Sequence, residues 1–149
     1  MNRFAMTLAG IMTVSVHVNA LDENPVGLDG LRWKYRVILV FAHEPFRSTA
    51  LTNLNEFAAE IEEREIAWFV LDDREMDTNY DGKLERELRS DLMERYFNPV
   101  PTDPVVLLIG KDGALKSRLS DLDLEATFGL IDQMPMRREE MRRKSDDSD

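Results

Sequence analysis

The 149-residue chain contains no cysteine. Disulfide exchange and thiol peroxidase chemistry both need a thiolate, so neither is open to it. With no disulfide available, the apolar core alone must hold the fold. Histidine is nearly as scarce: only His17 and His43 occur, which excludes a metal site built from histidines. Positive charge is also short, with 19 Lys and Arg against 29 Asp and Glu. The net charge of −10 disfavours nucleic acid and anionic membrane as partners, while it would attract cations or basic proteins. Beyond the first residues, no apolar run nears the roughly 20 residues that a membrane-spanning helix requires.

What is present begins with an export pattern. Met1-Asn2-Arg3 supplies a short positive region, Phe4 to Val16 is mostly apolar, and Val18-Asn19-Ala20 offers the small residues read around a cleavage site. The pattern predicts a signal peptide over 1–20, with the mature chain starting at Leu21. No cysteine follows for lipid attachment, so a soluble periplasmic or secreted protein is expected, without membrane insertion after cleavage. Cleavage removes one Arg and no acid, which moves the net charge from −10 to −11. The remainder is long enough for one domain with its own core and too short for two. We assign that domain to 21–134 and a charged C-terminal tail to 135–149.

Val37-Ile38-Leu39-Val40-Phe41 is a continuous apolar run and predicts a strand buried on both faces. The loop that follows, Ala42 to Arg47, carries His43, Glu44 and Pro45. It is expected at the carboxyl edge of that strand and beside a helix amino terminus, where open α/β sheets usually place ligands. Ser48 or Thr49 is expected to cap a helix in which Leu51, Leu54, Phe57 or Ala58, and Ile61 share a face. Ile66 to Leu71 predicts a second strand, parallel to the first through a right-handed crossover. An acidic loop over 72–83 then leads to a helix marked by Leu84, Leu88, Leu92 or Met93, and Tyr96. Three prolines between Asn98 and Pro104 end that helix. Val105 to Ile109 predicts a third strand, and Asp112-Gly113 a turn to a hairpin strand over 114–118. Ser120 with Asp123 resembles a capping box opening a last helix through Leu124, Phe128 and Ile131, which Pro135 interrupts. Leu28, Leu31 and Trp33 are expected to anchor the lead-in segment, Trp33 as a packing residue at the sheet edge rather than a binding platform.

The order β-α-β-α-β-β-α is that of the minimal thioredoxin fold: a βαβ half and a ββα half joined by a helix, with a central mixed sheet and helices on both faces. Three stretches narrow the resemblance: Leu31-Arg32-Trp33-Lys34 leading into Arg36 to Ala42, then Leu108 to Gly113, then Ile131-Asp132-Gln133-Met134-Pro135-Met136-Arg137-Arg138 through Met141. They resemble an exported bacterial family of unknown function that is similar to the peroxiredoxin-like DUDES domain of extracellular sushi-repeat proteins. The resemblance implies a thioredoxin-like sheet and brings no catalytic residues with it. Pro104 falls just before the third strand, where thioredoxins keep a cis-proline; trans is the default for a single X-Pro bond.

Three groups of residues are candidates for chemistry. His43 and Glu44, beside a helix amino terminus, would form the acid/base pair of a cysteine-independent enzyme, although neighbours on an extended segment point apart. Asp77-Thr78-Asn79-Tyr80-Asp81-Gly82-Lys83-Leu84-Glu85 matches a calcium loop of EF-hand type at its first positions: Asp77, Asn79 and Asp81 offer side-chain oxygens, Lys83 a carbonyl and Glu85 an acid. Leu88 stands where the bidentate Glu belongs, so only weak Ca2+ binding is expected, and no other cofactor. The cluster Arg137, Arg138, Arg142, Arg143 and Lys144 is expected to be a solvated helix end with internal ion pairs. The reading that absorbs most of these features is an exported, cysteine-free, non-catalytic module that binds a protein or peptide of the cell envelope.

Overall fold

Residues 24–148 are described by a computed structural model; the expected signal peptide lies outside them. Among the described residues, no helix is long and apolar enough to cross a membrane. The central apolar run forms β1 (Arg36–Phe41), and every residue of it is buried. It pairs parallel with β2 (Ile66–Leu71), Val37 opposite Ala67 and Val40 opposite Val70. On its other side it pairs antiparallel with β4 (Val105–Ile109), Leu39 opposite Leu107. β5 (Leu115–Leu119) returns from β4 as a hairpin with one register irregularity beside Ile109. Gly113 makes that turn possible, with a φ of +80° that a side chain would strain.

A fifth strand was not expected. β3 (Met76–Thr78) lies inside the segment read as an acidic loop and pairs antiparallel with β2, giving the open mixed order β3-β2-β1-β4-β5. Three residues are too short a signal to stand out from a charged loop. Next to it, the Asn79 side chain continues the ladder: its oxygen accepts from the Trp68 N–H at 2.8 Å and its nitrogen donates to the Ile66 carbonyl at 3.0 Å. Asn79→Ala would leave both backbone groups of β2 without partners, so a loss of about 1–2 kcal/mol is expected in urea unfolding.

Alternation along the strands sorts the core into two layers. Ile38, Val40, Trp68, Val70, Val106 and Leu108 face α1 (Phe46–Glu56), α2 (Ala58–Glu63) and α4 (Leu124–Asp132). Val37, Leu39, Phe41, Phe69, Leu71 and Leu107 face α3 (Leu88–Tyr96) and the 3-10 turn Leu28–Leu31. Helices thus cover both faces. Each fully buried aliphatic side chain contributes about 1.5–3 kcal/mol.

Local details differ from the sequence reading. The first helix opens at Phe46 behind Pro45 rather than at Ser48, and it breaks at Phe57, whose ring turns toward Phe128 with centroids 5.9 Å apart. Leu84 stands outside α3 and forms a parallel bridge with Val26, which ties the lead-in segment down. Asp123 is itself the cap of α4, accepting from the Ala126 N–H at 2.9 Å. Trp33, expected to pack at the sheet edge, is 63% exposed. Its φ of +67° and the 2.7 Å hydrogen bond from its N–H to the Lys111 carbonyl turn the indole outward, while Leu31 is buried as expected.

The largest correction concerns the end of the chain. Pro135 does separate two helices, but it also opens the second, α5 (Pro135–Asp146), in line with its preference for the first helical turn. The outer face of the segment read as a solvated tail is exposed and carries the expected internal pairs of Glu139 with Arg142 and Arg143, but Arg137 is 1% exposed and docks the segment. A cation so deeply buried was not legible from an alternation of Arg and Glu, because one of its partners, Glu63, lies 74 positions away.

Candidate functional site

The carboxyl edge of β1 and β2 is organised by Arg47, a nearly buried residue in the first turn of α1 that the sequence did not single out. Its guanidinium meets the loop after β2. Nε lies 3.1 Å from Asp72 in an ion-pair contact, one terminal nitrogen donates to Asp77 across a short hydrogen bond, and Glu75 lies 3.7 Å away. Burial pushes the Asp72 carboxyl up, but the backbone N–H groups of Arg74 and Glu75 and the charge of Arg47 outweigh it and hold the group below its usual value. The edge is therefore filled by a charge cluster in which one cation faces three carboxylates.

His43 and Glu44 are not brought together there. The His43 ring packs edge-on against Phe41, and its Nε2 lies 3.7 Å from Asp73 with both side chains half exposed. Glu44 turns the other way and accepts from the Ser48 N–H at 3.2 Å, where an acid satisfies a helix amino terminus. Pro104 sits before β4 as expected; the cis bonds among the described residues precede Pro45 and Pro99, so the bond before Pro104 is trans.

The residues of the expected calcium loop are drawn to separate tasks. Asp77 is in β3 and paired with Arg47, Asn79 is bound to the backbone of β2, and the Glu85 N–H donates to the Val26 carbonyl while the Lys83 carbonyl accepts from the Val26 N–H at 2.8 Å. Asp81 stays exposed. Among the described residues, no group of three or more carboxylate or histidine side chains converges as an ion would require. β3 takes in the first two residues of the motif, Asp77 and Thr78, and pairs along the outer edge of β2. Accordingly, millimolar calcium is expected to raise the melting temperature no more than magnesium does at equal ionic strength, and Asp77→Ala with Asp81→Ala should leave that response unchanged.

The opposite end of the sheet holds a second charge network, and it too escaped the sequence reading. Arg36, 1% exposed at the start of β1, donates from two nitrogens to the two Glu140 oxygens at 3.2 Å and to the Arg64 carbonyl at 2.9 Å. Lys111 donates to Glu140 at 2.8 Å and across a short bond to Glu65. Arg137 reaches Glu63 at 2.7 Å and Asp132 at 3.1 Å, while Arg64 binds Asp132 and stacks 4.6 Å over Phe128. Four cations face four acids, so the cluster is neutral. Its signal in the sequence was Arg36 opening an otherwise apolar strand.

Apolar surface collects elsewhere. Leu115 and Leu119 on β5 are 50% and 43% exposed, and Leu130 and Met136, around the α4–α5 elbow, are 41% and 40% exposed. No described strand pairs with the outer edge of β5.

These features define a small mixed α/β domain with an open five-stranded sheet, closed at each end by ion pairs among its own side chains. Over residues 27–140 the chain matches the model of the family described as Domain of unknown function (DUF4174), and it belongs to that family. The match runs through both Arg137 and Glu140, so it takes in the anchor of α5. No curated protein and no solved structure matches the chain.

Proposed function

We propose that this is an exported, thioredoxin-like domain that binds a protein or peptide of the cell envelope without catalytic turnover. The observation that carries the reading is the exposed apolar side chains beside an unpaired edge strand, in a domain whose carboxyl edge is occupied by the Arg47 cluster. Strand order supports the thioredoxin-like part: a parallel βαβ pair, β1 and β2, continued by β4 and β5 antiparallel beside β1, is the arrangement the resemblance implies. The basic and apolar start of the chain supports export. The mature protein is expected to reduce no insulin disulfide and consume no peroxide, to begin at Leu21 by mass spectrometry of the exported form, and to crosslink to a defined partner in envelope extract. Retention of residues 1–20, or a parent protein that crosslinks nothing, would overturn the reading. The His43 to Asp73 contact favours one rival, a hydrolase or other enzyme using His43. Turnover in a substrate screen that His43→Ala abolishes would establish that rival.

A further inference from the structure

We propose that the outer edge of β5 takes an extended acidic segment of a partner protein as an added strand, and that one apolar side chain of that segment enters the neighbouring cavity. The inference rests on the binding reading above and gives it a place and a ligand class.

Three observations converge on this edge. The first is the strand itself: β5 is the last strand of the sheet on that side, and its outer N–H and C=O groups have no described strand to meet. Such an edge is a template for strand addition, which supplies main-chain hydrogen bonds whatever the partner's sequence. The second is a cavity of about 500 Å3 at the β4–β5 turn, walled by Gly110, Lys111, Lys116, Leu130, Met134 and Met136. Unbranched methionines let such a wall fit more than one apolar side chain. The cavity provides what main-chain pairing lacks, a side-chain preference.

The third observation is charge, and it selects the partner. The chain as a whole is at −10, yet β5 reads Leu115-Lys116-Ser117-Arg118-Leu119, two cations and no acid. Lys116 is held at the cavity mouth by Asp112 at 2.7 Å, and Arg118 makes no ion pair with any described residue. Charged edges ordinarily keep sheets from joining. Here the same charges decide which strand is admitted. A second copy of this chain is disfavoured, because joining two β5 edges brings Lys116 and Arg118 of one strand beside those of the other, and like charges across a strand pair destabilise a sheet. A strand with Glu or Asp at those positions turns the repulsion into attraction, while its alternate apolar residues cover Leu119 on one face or Leu115 on the other.

The test uses the mature protein and labelled peptides read by fluorescence anisotropy: acetyl-Glu-Leu-Glu-Val-Glu-Leu-amide, its counterpart with Lys for Glu, and the acidic peptide with Val replaced by Pro. The acidic peptide is expected to bind, the basic one at least tenfold more weakly, and the proline peptide more weakly than the acidic one, since proline donates no N–H and narrows the registers in which the strand can pair. Lys116→Glu with Arg118→Glu should weaken binding at least tenfold, and Met136→Glu should do so from the cavity side; all three sites are exposed, and an unchanged melting temperature confirms folding. No binding of the acidic peptide by the parent, equal binding of the basic one, or sedimentation showing a dimer that the double variant loses would overturn the proposal. Crosslinking in envelope extract separates the two levels. A partner captured equally by parent and double variant removes this site and keeps the binding reading.

Discussion

Glu140→Ala is expected to lower the unfolding free energy by about 3–5 kcal/mol, the cost of stripping a buried cation of its counter-ion. Arg36 is 1% exposed and its Nε has no hydrogen-bond partner, so the bidentate contact with Glu140 and one bond to the Arg64 carbonyl are all that offset its desolvation. Lys111 loses one of its two carboxylates in the same change. Urea unfolding of the mature protein measures the loss. If α5 were a solvated appendage, the substitution would cost less than about 0.5 kcal/mol, as surface changes do. Arg36→Met combined with Glu140→Leu should recover most of the stability, because an apolar pair needs no compensation. Deletion from Pro135 onward should cost more than Glu140→Ala, since Arg137 goes with it and Asp132 and Glu63 lose a cation.

The same network sets an acid limit. Burial pushes the Glu140 carboxyl up, but the hydrogen bonds from Lys111 and Arg36 outweigh it and hold the group below its ordinary value of 4.5. Asp132 is depressed in the same way by Arg64 and Arg137. A carboxyl whose folded pKa lies below its unfolded one contributes stability that is complete above the unfolded value and is lost as pH falls through the folded one. Stability should therefore be flat near neutrality and decline below about pH 4.5. In Glu140→Ala that decline should be shallower.

Arg47→Met is expected to cost about 2–3 kcal/mol, because charge-assisted hydrogen bonds of this kind contribute about 1.5–3 kcal/mol and the methionine keeps most of the packing. Asp72 remains ionised without Arg47, since the N–H groups of Arg74 and Glu75 still bind it. Three carboxylates, Asp72, Glu75 and Asp77, would then face one another without a cation. Their repulsion is screened by salt, so the variant should gain more stability than the parent when sodium chloride rises from low to physiological ionic strength. Arg47→Lys should recover only part of the loss, as one ammonium cannot span Asp72 and Asp77 as the guanidinium does. Equal salt dependence in parent and variant would show that the cluster is not held by Arg47.

Where apolar side chains repeat in long runs, the chain declares its structure. Val37 to Phe41, Ile66 to Leu71 and Val105 to Ile109 each read as a buried strand and each is one, and Asp112-Gly113 marks the hairpin turn. The parallel pairing of the first two strands followed from the helix between them. Burying apolar area depends on composition and spacing within a short window, so it can be read one segment at a time. The absence of cysteine likewise closed thiol chemistry before any fold was known.

Charge could not be read that way. Asp77 and Asn79 fit a calcium loop by spacing, yet β2 required an edge partner and Arg47 a counter-ion, and both demands came from residues outside the motif. Arg137 and Glu140 sat in a run of charges that looks solvated, and burial made them the anchor of α5. The exposed apolar edge of β5 was equally hidden, since Leu115 and Leu119 in a hairpin strand look like core until the sheet order leaves that strand outermost. Apolar residues fix where the chain collapses because the hydrophobic effect needs no particular partner. Ion pairs and open edges depend on which distant residue arrives within about 4 Å, and only the tertiary structure decides that.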